Sequence, residues 1–407
     1  MDSKQAPHFS EIIEARKILK PIIKTTPIEH SRIFSNLSGA EVFLKLENLQ
    51  STGSFKVRGA FNKLFHLSQE ELNHGVTCAS AGNHAQGVAF AASKMDVHSK
   101  IFMPIFTPPL KVIATRAYGA DVELVGANFD EAYAAAKNYA QETNATFIEP
   151  FDDRQVIAGQ GTIALEIFEQ LSDIDEIYVP IGGGGLISGI AIVAKQMNPD
   201  VKIIGVESEG TASMKNSIEK QEIITLPHVS SIADGIAVKR PGQLTYKIIN
   251  ELVDDLLLVS DEEIAHMTYL LLQRGKLLAE PSGVASLAAI AGRKRNCEDK
   301  RVLAIISGGN IKMTLLEQIL EKGMLHEKLR VRIAVLVPDV SGELNEITSI
   351  LDMFRANIHD VWHDRLSNIV PIGYVRITVT FHLQEESQID MIKNELRKLK
   401  KVFEVLD

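Results

Sequence analysis

The sequence has few cysteines, no excess of positive charge and no long apolar run. Cys78 and Cys297 are the two cysteines in 407 residues, too few for a disulfide framework or a multi-cysteine metal site. The formal net charge of −9 excludes the concentrated basic surface of a nucleic-acid-binding protein. No stretch reaches the ~18 apolar residues of a membrane span, and the first residues lack the apolar segment of a signal peptide. We therefore expect a cytoplasmic protein that binds neither nucleic acid nor membrane.

The composition is that of a globular protein of two or three domains. Hydrophobic residues make up 45% and charged residues 23% of the chain, as in ordinary soluble domains. From about Val76 to Ile306, short apolar segments alternate with helical patterns. This alternation predicts βαβ units in mostly parallel sheets, which bind ligands at the carboxyl ends of their strands.

The pattern changes near residue 325. Residues 323–329 are short and polar, and they predict a linker. Over residues 330–407 the apolar patterns follow the order strand, helix, strand, strand, helix, strand. This βαββαβ order is that of a ferredoxin-like module. The predicted fold class is therefore α/β with open parallel sheets, followed by a small ferredoxin-like domain.

A lysine follows a glycine-containing turn in the segment Ser51–Ala60. Lys56 lies between Phe55 and the apolar beginning of a predicted helix. A lysine held against an apolar wall has a lowered pKa and can form a Schiff base. An ordinary solvated lysine is the alternative.

Four consecutive glycines, Gly182 to Gly185, lie between a predicted strand and a predicted helix. Exposed backbone N–H groups at a helix N-terminus bind phosphate. A flexible turn is one alternative. A dinucleotide site of a nicotinamide-dependent oxidoreductase is another, with Glu207 as the acidic residue about 20 positions further on. The single run of glycines suits one phosphate better than two.

Two further turns between strand and helix carry small and polar residues. The segment Ser80–Gln86 offers backbone donors and the side chains of Asn83 and His84, which suit a carboxylate. A capped helix start is the alternative for the segment, and a packed or capping histidine is the alternative for His84. Ser307 opens the sequence Ser-Gly-Gly-Asn after the last predicted strand, where a hydroxyl suits a ring nitrogen, and a plain turn is the alternative.

Together, these four motifs resemble in order and spacing those of the fold-type-II pyridoxal-phosphate enzymes, whose fold is like that of the tryptophan synthase β subunit. Within that group the chain resembles the threonine dehydratases (threonine ammonia-lyases) over roughly residues 8–322. The C-terminal residues resemble a single ACT domain. The resemblance implies a catalytic region over residues 1–322 with a small subdomain at about 50–150, and an ACT regulatory domain over residues 330–407.

The resemblance assigns roles to individual residues. Pyridoxal 5′-phosphate is the implied cofactor, and Lys56 forms the Schiff base with its aldehyde. The implied cofactor-binding residues are Phe55, Lys56, Asn83, Gly182, Gly183, Gly184, Gly185, Leu186, Gly235 and Ser307. Phe55 and Gly235 line the two ring faces, the glycines and Leu186 hold the phosphate, Asn83 binds the 3′-oxygen, and Ser307 faces the ring nitrogen. The implied substrate-binding residues are Ser80, Ala81, Gly82, Asn83 and His84.

The implied reaction is the deamination of L-threonine to 2-oxobutanoate and ammonia, and of L-serine to pyruvate. A neutral hydroxyl at the ring nitrogen makes the ring a weaker electron sink than an aspartate does, which favours prompt loss of the β-hydroxyl. Lys56 removes the Cα proton. The product serves isoleucine biosynthesis or threonine catabolism.

Several alternatives stand beside this function. A serine racemase or a serine dehydratase is one alternative; the serine racemases resemble this chain but have a second serine where this chain has Ala81. Alanine has no acid or base for the opposite ring face, so a lyase is favoured. β-Replacement synthases share the lysine and the phosphate loop but lack the Ser80–His84 pattern and the ACT domain. A non-catalytic amino-acid sensor is disfavoured because Lys56 is present.

The ACT domain implies an effector, an amino acid or a nucleotide, with isoleucine the first candidate. We expect it near Gly342, Leu344, Asn357 and Ile358; a purely dimerising ACT domain is the alternative. The resemblance also implies a homodimer or a homotetramer. In relatives a glutamate at the position of Glu207 belongs to a cation site with an acidic residue six positions on, but Ser213 stands there. We therefore assign no metal site; a solvated carboxylate at the strand end and a monovalent-ion site are the alternatives for Glu207.

Overall fold

The structure is a computed structural model that describes residues 5–327, 330–383, 385 and 387–406. The chain forms two compact units, residues 1–312 and 313–407. Within the described residues, no helix combines the length and the hydropathy needed to span a bilayer.

The first unit contains two sheets. The larger has six strands in the order β1-β2-β10-β7-β8-β9, parallel except for β1. Its strands are β1 (Ile28–His30), β2 (Glu41–Leu46), β7 (Glu176–Pro180), β8 (Lys202–Ser208), β9 (Asp255–Val259) and β10 (Arg301–Ile306). The smaller is fully parallel, in the order β5-β4-β3-β6. Its strands are β3 (Val76–Ala79), β4 (Ser99–Met103), β5 (Asp121–Leu124) and β6 (Thr146–Phe147). The predicted parallel α/β class is confirmed.

Helices connect these strands. They are α1 (Phe9–Leu19), α2 (Arg32–Ser38), α3 (Lys56–Phe65), α4 (Gln69–His74), α5 (Asn83–Lys94), α6 (Pro109–Arg116), α7 (Phe129–Thr143), α8 (Arg154–Gln170), α9 (Gly185–Met197), α10 (Ser213–Lys220), α11 (Gln243–Leu252), α12 (Asp261–Gln273) and α13 (Pro281–Ala291). Every residue of β3 and β7 is buried, as in strands covered on both faces. Helix α9 is apolar on nearly all sides and buried, which is typical of a core helix.

Glycines bring α3 very close to α8. A Cβ on Gly59 would lie 2.8 Å from the Val156 carbonyl oxygen, and one on Gly159 would lie 2.5 Å from the Arg58 carbonyl oxygen. The two helices therefore pack backbone against backbone, which no larger residue allows. Because α3 begins at Lys56, this contact fixes the direction from which the lysine leaves the core.

A buried ion-pair network holds the same helix. The guanidinium group of Arg58 donates to both carboxylate oxygens of Glu47, each at 2.8 Å, and to those of Glu166 at 2.8 and 3.0 Å. Lys45 donates to Glu166 at 2.8 Å. All four side chains are fully buried. The network ties α3 to α8, to β2 and to the short 3-10 helix Glu47–Leu49.

The second unit begins with α14 (Met313–His326). The elements that follow are β11 (Arg330–Pro338), α15 (Glu343–Met353), β12 (Asn357–Asp364), β13 (Tyr374–His382), α16 (Gln388–Lys398) and β14 (Val402–Leu406). The strands form an antiparallel sheet in the order β12-β13-β11-β14. This is the ferredoxin-like order expected from the sequence, with a core that includes Val335, Ile350, Phe381 and Ile392.

The boundary differs from the expected one. The division falls after Lys312 rather than after residue 322, and residues 323–326 complete α14 instead of forming a linker. Ile319 and Gly323 are buried on one face of this helix, so its helical spacing outweighs the polar composition that suggested a linker. Residues 328 and 329, the end of the expected linker, lie outside the described residues.

Candidate active site

A cavity of about 840 Å³ lies at the carboxyl ends of strands in the first unit. It gathers every residue predicted from the sequence to bind cofactor or substrate. These are Phe55, Lys56, Ser80, Ala81, Gly82, Asn83, His84, Gly182, Gly183, Gly184, Gly185, Leu186, Gly235 and Ser307. Three of the motifs directly follow β3, β7 and β10, so the sheet geometry brings them together.

Lys56 extends into this cavity from the first turn of α3. Its Nζ donates a hydrogen bond to the carbonyl oxygen of Pro150 at 2.9 Å and lies 5.2 Å from the centre of the Phe55 ring. Loss of hydration lowers the pKa of this amine to about 8, although the nearby Glu280 carboxylate raises it. At pH 7 roughly a tenth of the amine is therefore unprotonated and nucleophilic, far more than for an ordinary lysine.

The loop before Lys56 is joined to the loop after β10. Ser54 and Gly308 form an antiparallel bridge. The N–H of Phe55 donates to the Ser307 carbonyl oxygen at 3.2 Å, and the N–H of Gly309 donates to the Gly53 carbonyl oxygen at 2.8 Å. The lysine and Ser307 are thus held by one stretch of paired backbone.

The glycine loop forms a tight anion cradle at the beginning of α9. Gly184 has φ +93° and Thr245 Oγ1 donates to the Gly183 carbonyl oxygen at 2.6 Å. A Cβ on Gly183 would lie 2.2 Å from the Phe151 ring. Among the described residues, no backbone carbonyl accepts a hydrogen bond from the amides of residues 182–184. Free amides at a helix N-terminus provide a site for a phosphate group.

A second helix N-terminus, that of α5, faces the cavity with the segment Ser80–His84. The N–H of Gly82 donates to Ser80 Oγ at 3.2 Å, and the first helical hydrogen bond runs from Gln86 to Gly82. The amides of residues 83–85 therefore remain at the open end of the helix. Such an end suits a substrate carboxylate.

The His84 ring points into the protein. Its Nε2–H donates to the Ile148 carbonyl oxygen at 2.9 Å. Burial, and next the charge of Lys56, lowers the pKa of the ring to about 3, so His84 is neutral and its other nitrogen accepts only. In this arrangement the backbone amide of His84 remains available to an anion. This geometry favours the packed-histidine alternative for the ring itself.

The expected ring contacts Ser307 and Gly235 both line the cavity. Ser307 is buried, with 4% of its surface exposed. The N–H of Gly235 donates to Ser282 Oγ at 2.8 Å, and a Cβ on Gly235 would lie 2.9 Å from that oxygen. Ala81 offers only a methyl group to the cavity.

The segment Ile148–Phe151 was not identified from the sequence. Its backbone carbonyls hold His84 and Lys56, and the Phe151 ring covers the glycine loop. The side chain of Glu149 accepts from Lys137 Nζ at 2.6 Å. A backbone carbonyl is present in every residue type, so only the turn after β6 signals this role.

Glu280 and Glu207 are both buried carboxylates, and Glu280 lines the cavity. Glu280 Oε1 accepts from Asn83 Nδ2 at 2.5 Å. Glu207 accepts from the backbone N–H groups of Met214 and Lys215 at 2.9 and 2.8 Å. Both oxygens of Glu207 thus bind the first turn of α10, and burial raises the pKa of this carboxyl to about 7. Its observed role is that of a helix cap.

The residues expected to contact an effector lie in the second unit. Gly342 has φ +103° and precedes α15, with open space where a Cβ would project. Leu344 packs partly buried against the core of that unit. Asn357 and Ile358 begin the edge strand β12 and pair with His382 and Phe381.

Comparison with known proteins identifies the family. The family model described as pyridoxal-phosphate dependent enzyme matches residues 19–308. The chain belongs to this family. An L-threonine ammonia-lyase of Thermotoga maritima is 43% identical over 388 residues, which are 95% of this chain and 96% of that protein.

Two solved structures share the family fold of the first unit. The processed form of threonine deaminase isoform 2 from Solanum lycopersicum has a TM-score of 0.74 at 38% identity, covering 79% of this chain and 90% of that one. Maize serine racemase also has a TM-score of 0.74, at 35% identity, covering 79% of this chain and 99% of that one.

The residues of the cavity fit the cofactor of this family. The free amides of the glycine loop match a phosphate group, and the close cover of Phe151 over Gly183 leaves room there for glycine alone. The amine of Lys56 has the lowered pKa that Schiff-base formation with an aldehyde requires. One cavity therefore contains both the glycine loop that fits the phosphate group and the lysine that fits the aldehyde of pyridoxal phosphate.

Proposed function

We propose that this protein is a threonine ammonia-lyase that converts L-threonine to 2-oxobutanoate and ammonia, and L-serine to pyruvate and ammonia. One observation carries the proposal: the amine of Lys56 and the free amides of the glycine loop line the same cavity as the open N-terminus of α5. The 43% identity with the Thermotoga maritima L-threonine ammonia-lyase over nearly the whole chain supports the choice of substrate.

The assignment of cofactor contacts follows the cavity walls. The amides of Gly182 to Leu186 would hold the phosphate group, Lys56 would bond to the aldehyde carbon, and Ser307 would meet the ring nitrogen. Phe55 and Gly235 would lie against the ring faces, and Asn83 would donate to the ring oxygen. When bound, pyridoxal phosphate supplies a conjugated ring that withdraws electrons from the substrate Cα.

The chain's own groups orient the substrate and move its proton. The open amides of α5 bind the carboxylate and so hold the amino acid in the cavity that also contains Lys56. The free amine of Lys56 takes the Cα proton, as a base whose pKa is matched to neutral pH. The Pro150 carbonyl oxygen, 2.9 Å from Nζ, keeps this amine in place while it is not bonded to the cofactor.

Serine racemisation is the second candidate, because maize serine racemase shares the fold at 35% identity. A racemase needs a proton donor on the ring face opposite the lysine. In this chain Ala81 occupies the position where racemases have a serine, and the neutral His84 ring is engaged with Ile148. Elimination is therefore favoured over racemisation.

The test is a comparison of substrates on the purified holoenzyme. We expect a visible absorbance band of the bound cofactor, rapid 2-oxo acid release from L-threonine, slower release from L-serine, and little D-serine formed from L-serine. Lys56→Ala is the control and should lose the band and the activity. Racemisation of L-serine as fast as its deamination would refute the proposal.

We also propose that the second unit binds a small-molecule effector beside Gly342, Leu344, Asn357 and Ile358, with the amino acid isoleucine the first candidate and a nucleotide the second. The open space at Gly342 and the adjacent first turn of α15 support this position. Isoleucine, valine and adenosine nucleotides should be titrated while deamination is measured. If none of these compounds changes the activity and the Gly342→Val variant behaves like the wild type, the proposal is contradicted. The ACT-like unit would then have a purely dimerising role.

We propose a homodimer or homotetramer that works in the cytoplasm. Light scattering of the purified chain distinguishes these assemblies from a monomer. Fractionation of the source cells tests the compartment.

A further inference from the structure

Glu280 is a buried carboxylate in the cavity that the reaction proposed above does not use. It stands at the position before α13, yet its side chain does not cap that helix. Instead Oε1 accepts from Asn83 Nδ2 at 2.5 Å. A Cβ on Gly308 would lie 2.3 Å from the same oxygen, so the glycine of the Ser307 loop is what makes room for the carboxylate.

Asn83 is held at its other end by Asn310. Asn83 Oδ1 accepts from Asn310 Nδ2 at 2.6 Å, and Asn310 Nδ2 also donates to the Thr52 carbonyl oxygen at 3.1 Å. The Thr52 carbonyl can only accept, so it sets Asn310 as a donor. Asn310 in turn sets Asn83 Oδ1 as the acceptor, and Glu280 requires Nδ2 at the opposite end. If the Asn83 amide were flipped, its oxygen would face the Glu280 carboxylate and its nitrogen would face Asn310 Nδ2, and both hydrogen bonds would be lost.

The clamped amide leaves one hydrogen of Asn83 Nδ2 unused by these contacts, because an amide nitrogen carries two. Asn83 lines the cavity, and a cofactor ring oxygen that is anionic requires a donor there. An asparagine free to rotate presents its oxygen to that anion in one of its two orientations, at a cost in affinity.

We propose that Glu280 is a positioning residue which, together with Asn310, clamps the Asn83 amide so that its second N–H is held for the cofactor's ring oxygen. This inference rests on the proposed cofactor and extends it to a residue that does not bond to the reacting atoms.

The charges around Glu280 agree with this role. Burial, and next the Asp234 carboxylate, raises the pKa of Glu280 to about 7, while the hydrogen bond from Asn83 and the charges of Lys111 and Lys56 lower it. These groups face Glu280 from the segment that contains Gly235, from α5, from α6 and from α3. Burying a carboxylate costs free energy, and the charge-assisted hydrogen bond from Asn83 offsets part of that cost.

The test measures cofactor affinity of the apoprotein by absorbance titration with pyridoxal phosphate. Glu280→Ala and Asn310→Ala should each raise the Kd about tenfold, the effect of losing one buried hydrogen bond. Glu280→Gln keeps an acceptor oxygen and should stay within about threefold of the wild type, which is rescue by the conservative variant. Glu176→Gln is the matched control: this buried carboxylate lies at the beginning of β7, bonded to Lys300 and Tyr178, and its loss should leave the Kd and the visible spectrum unchanged.

A double-mutant cycle separates clamping from general stability. In an Asn83→Ala background, adding Glu280→Ala or Asn310→Ala should raise the Kd no further, because both act through Asn83. An undiminished tenfold effect in that background would overturn the inference. If the wild type binds the cofactor and neither Glu280→Ala nor Asn310→Ala changes the Kd, the inference is also overturned. A wild type that shows no cofactor band at all would instead overturn the proposed function, and this inference with it. Asn310 is half-buried on a loop, so its variant serves if Glu280→Ala fails to fold.

Discussion

The buried network around Arg58 gives a prediction about stability. Arg58→Met removes a guanidinium that binds both oxygens of Glu47 and of Glu166 at 2.8 to 3.0 Å. In this variant Glu166 still accepts a hydrogen bond from the cation of Lys45 at 2.8 Å, whereas Glu47 accepts only from the neutral hydroxyl of Thr26 at 2.5 Å. The main cost is therefore the fully buried charge of Glu47, now without its cation.

The expected size of this effect follows from the burial of the pair. Breaking a buried ion pair by removing one partner costs about 3–5 kcal/mol. At about 2–4 °C per kcal/mol for a unit of this size, the melting temperature should fall by roughly 6–20 °C. The measurement is thermal unfolding followed by circular dichroism. Arg301→Met, which breaks the surface pair with Glu41 at 2.9 Å, is the control and should cost less than about 1 kcal/mol.

A second substitution tests the reasoning itself. Glu47→Gln added to Arg58→Met removes the uncompensated charge and should recover about 1–3 kcal/mol. The reasoning is refuted if Arg58→Met costs no more than Arg301→Met, or if adding Glu47→Gln destabilises the variant further.

Three further predictions concern catalysis. Since Lys56 must lose its proton to act as a base and its pKa is about 8, turnover measured across pH should rise from pH 6 to about pH 8 and then level; a rate independent of pH over this range would contradict the role of the free amine. Gly184→Ala places a Cβ 2.8 Å from the Ile249 side chain at a residue with φ +93°, so titration of the apoprotein should show a cofactor Kd raised about tenfold or more. The control is Gly119→Ala, which also has positive φ but lies 4.0 Å from its nearest neighbour and should leave the Kd unchanged. Ala81→Ser adds a hydroxyl where racemases have one, so chiral chromatography should detect D-serine formed from L-serine, with Ala81→Thr as a bulkier hydroxyl control; absence of D-serine in both would show that position 81 alone does not decide between the reactions.

The fold and the position of the glycine loop could be predicted because their residue types are required by local geometry. Gly184 at φ +93° and Gly183 beneath the Phe151 ring tolerate no side chain, so glycines had to appear there in the sequence. The strands β3 and β7 are buried throughout, and buried parallel strands produce the uninterrupted apolar runs that identify them.

Other parts of the site left no such mark. The Pro150 carbonyl that holds Lys56 is a backbone group, and the turn of His84 toward Ile148 depends on where β6 ends. The ion network joins Lys45 and Arg58 to Glu166, which is 121 and 108 positions away from them in the chain, and all three look like ordinary surface charges in the sequence. The predicted end of the first unit, residue 322, lies inside α14, and the observed division comes before that helix. The polar composition of residues 323–329 concealed the end of the helix.

The position of β10 has a consequence for how the protein is made. This strand lies between β2 and β7 in the larger sheet, although it is the last strand of the first unit to leave the ribosome. Until residues 301–308 are available, β2 and β7 have no common neighbour and the Lys56 loop lacks its bridge to Gly308. Such pairing over long sequence separations forms slowly. Cofactor capture therefore reports completion of the whole first unit, and a chain that stops before Arg301 should emerge unable to retain it.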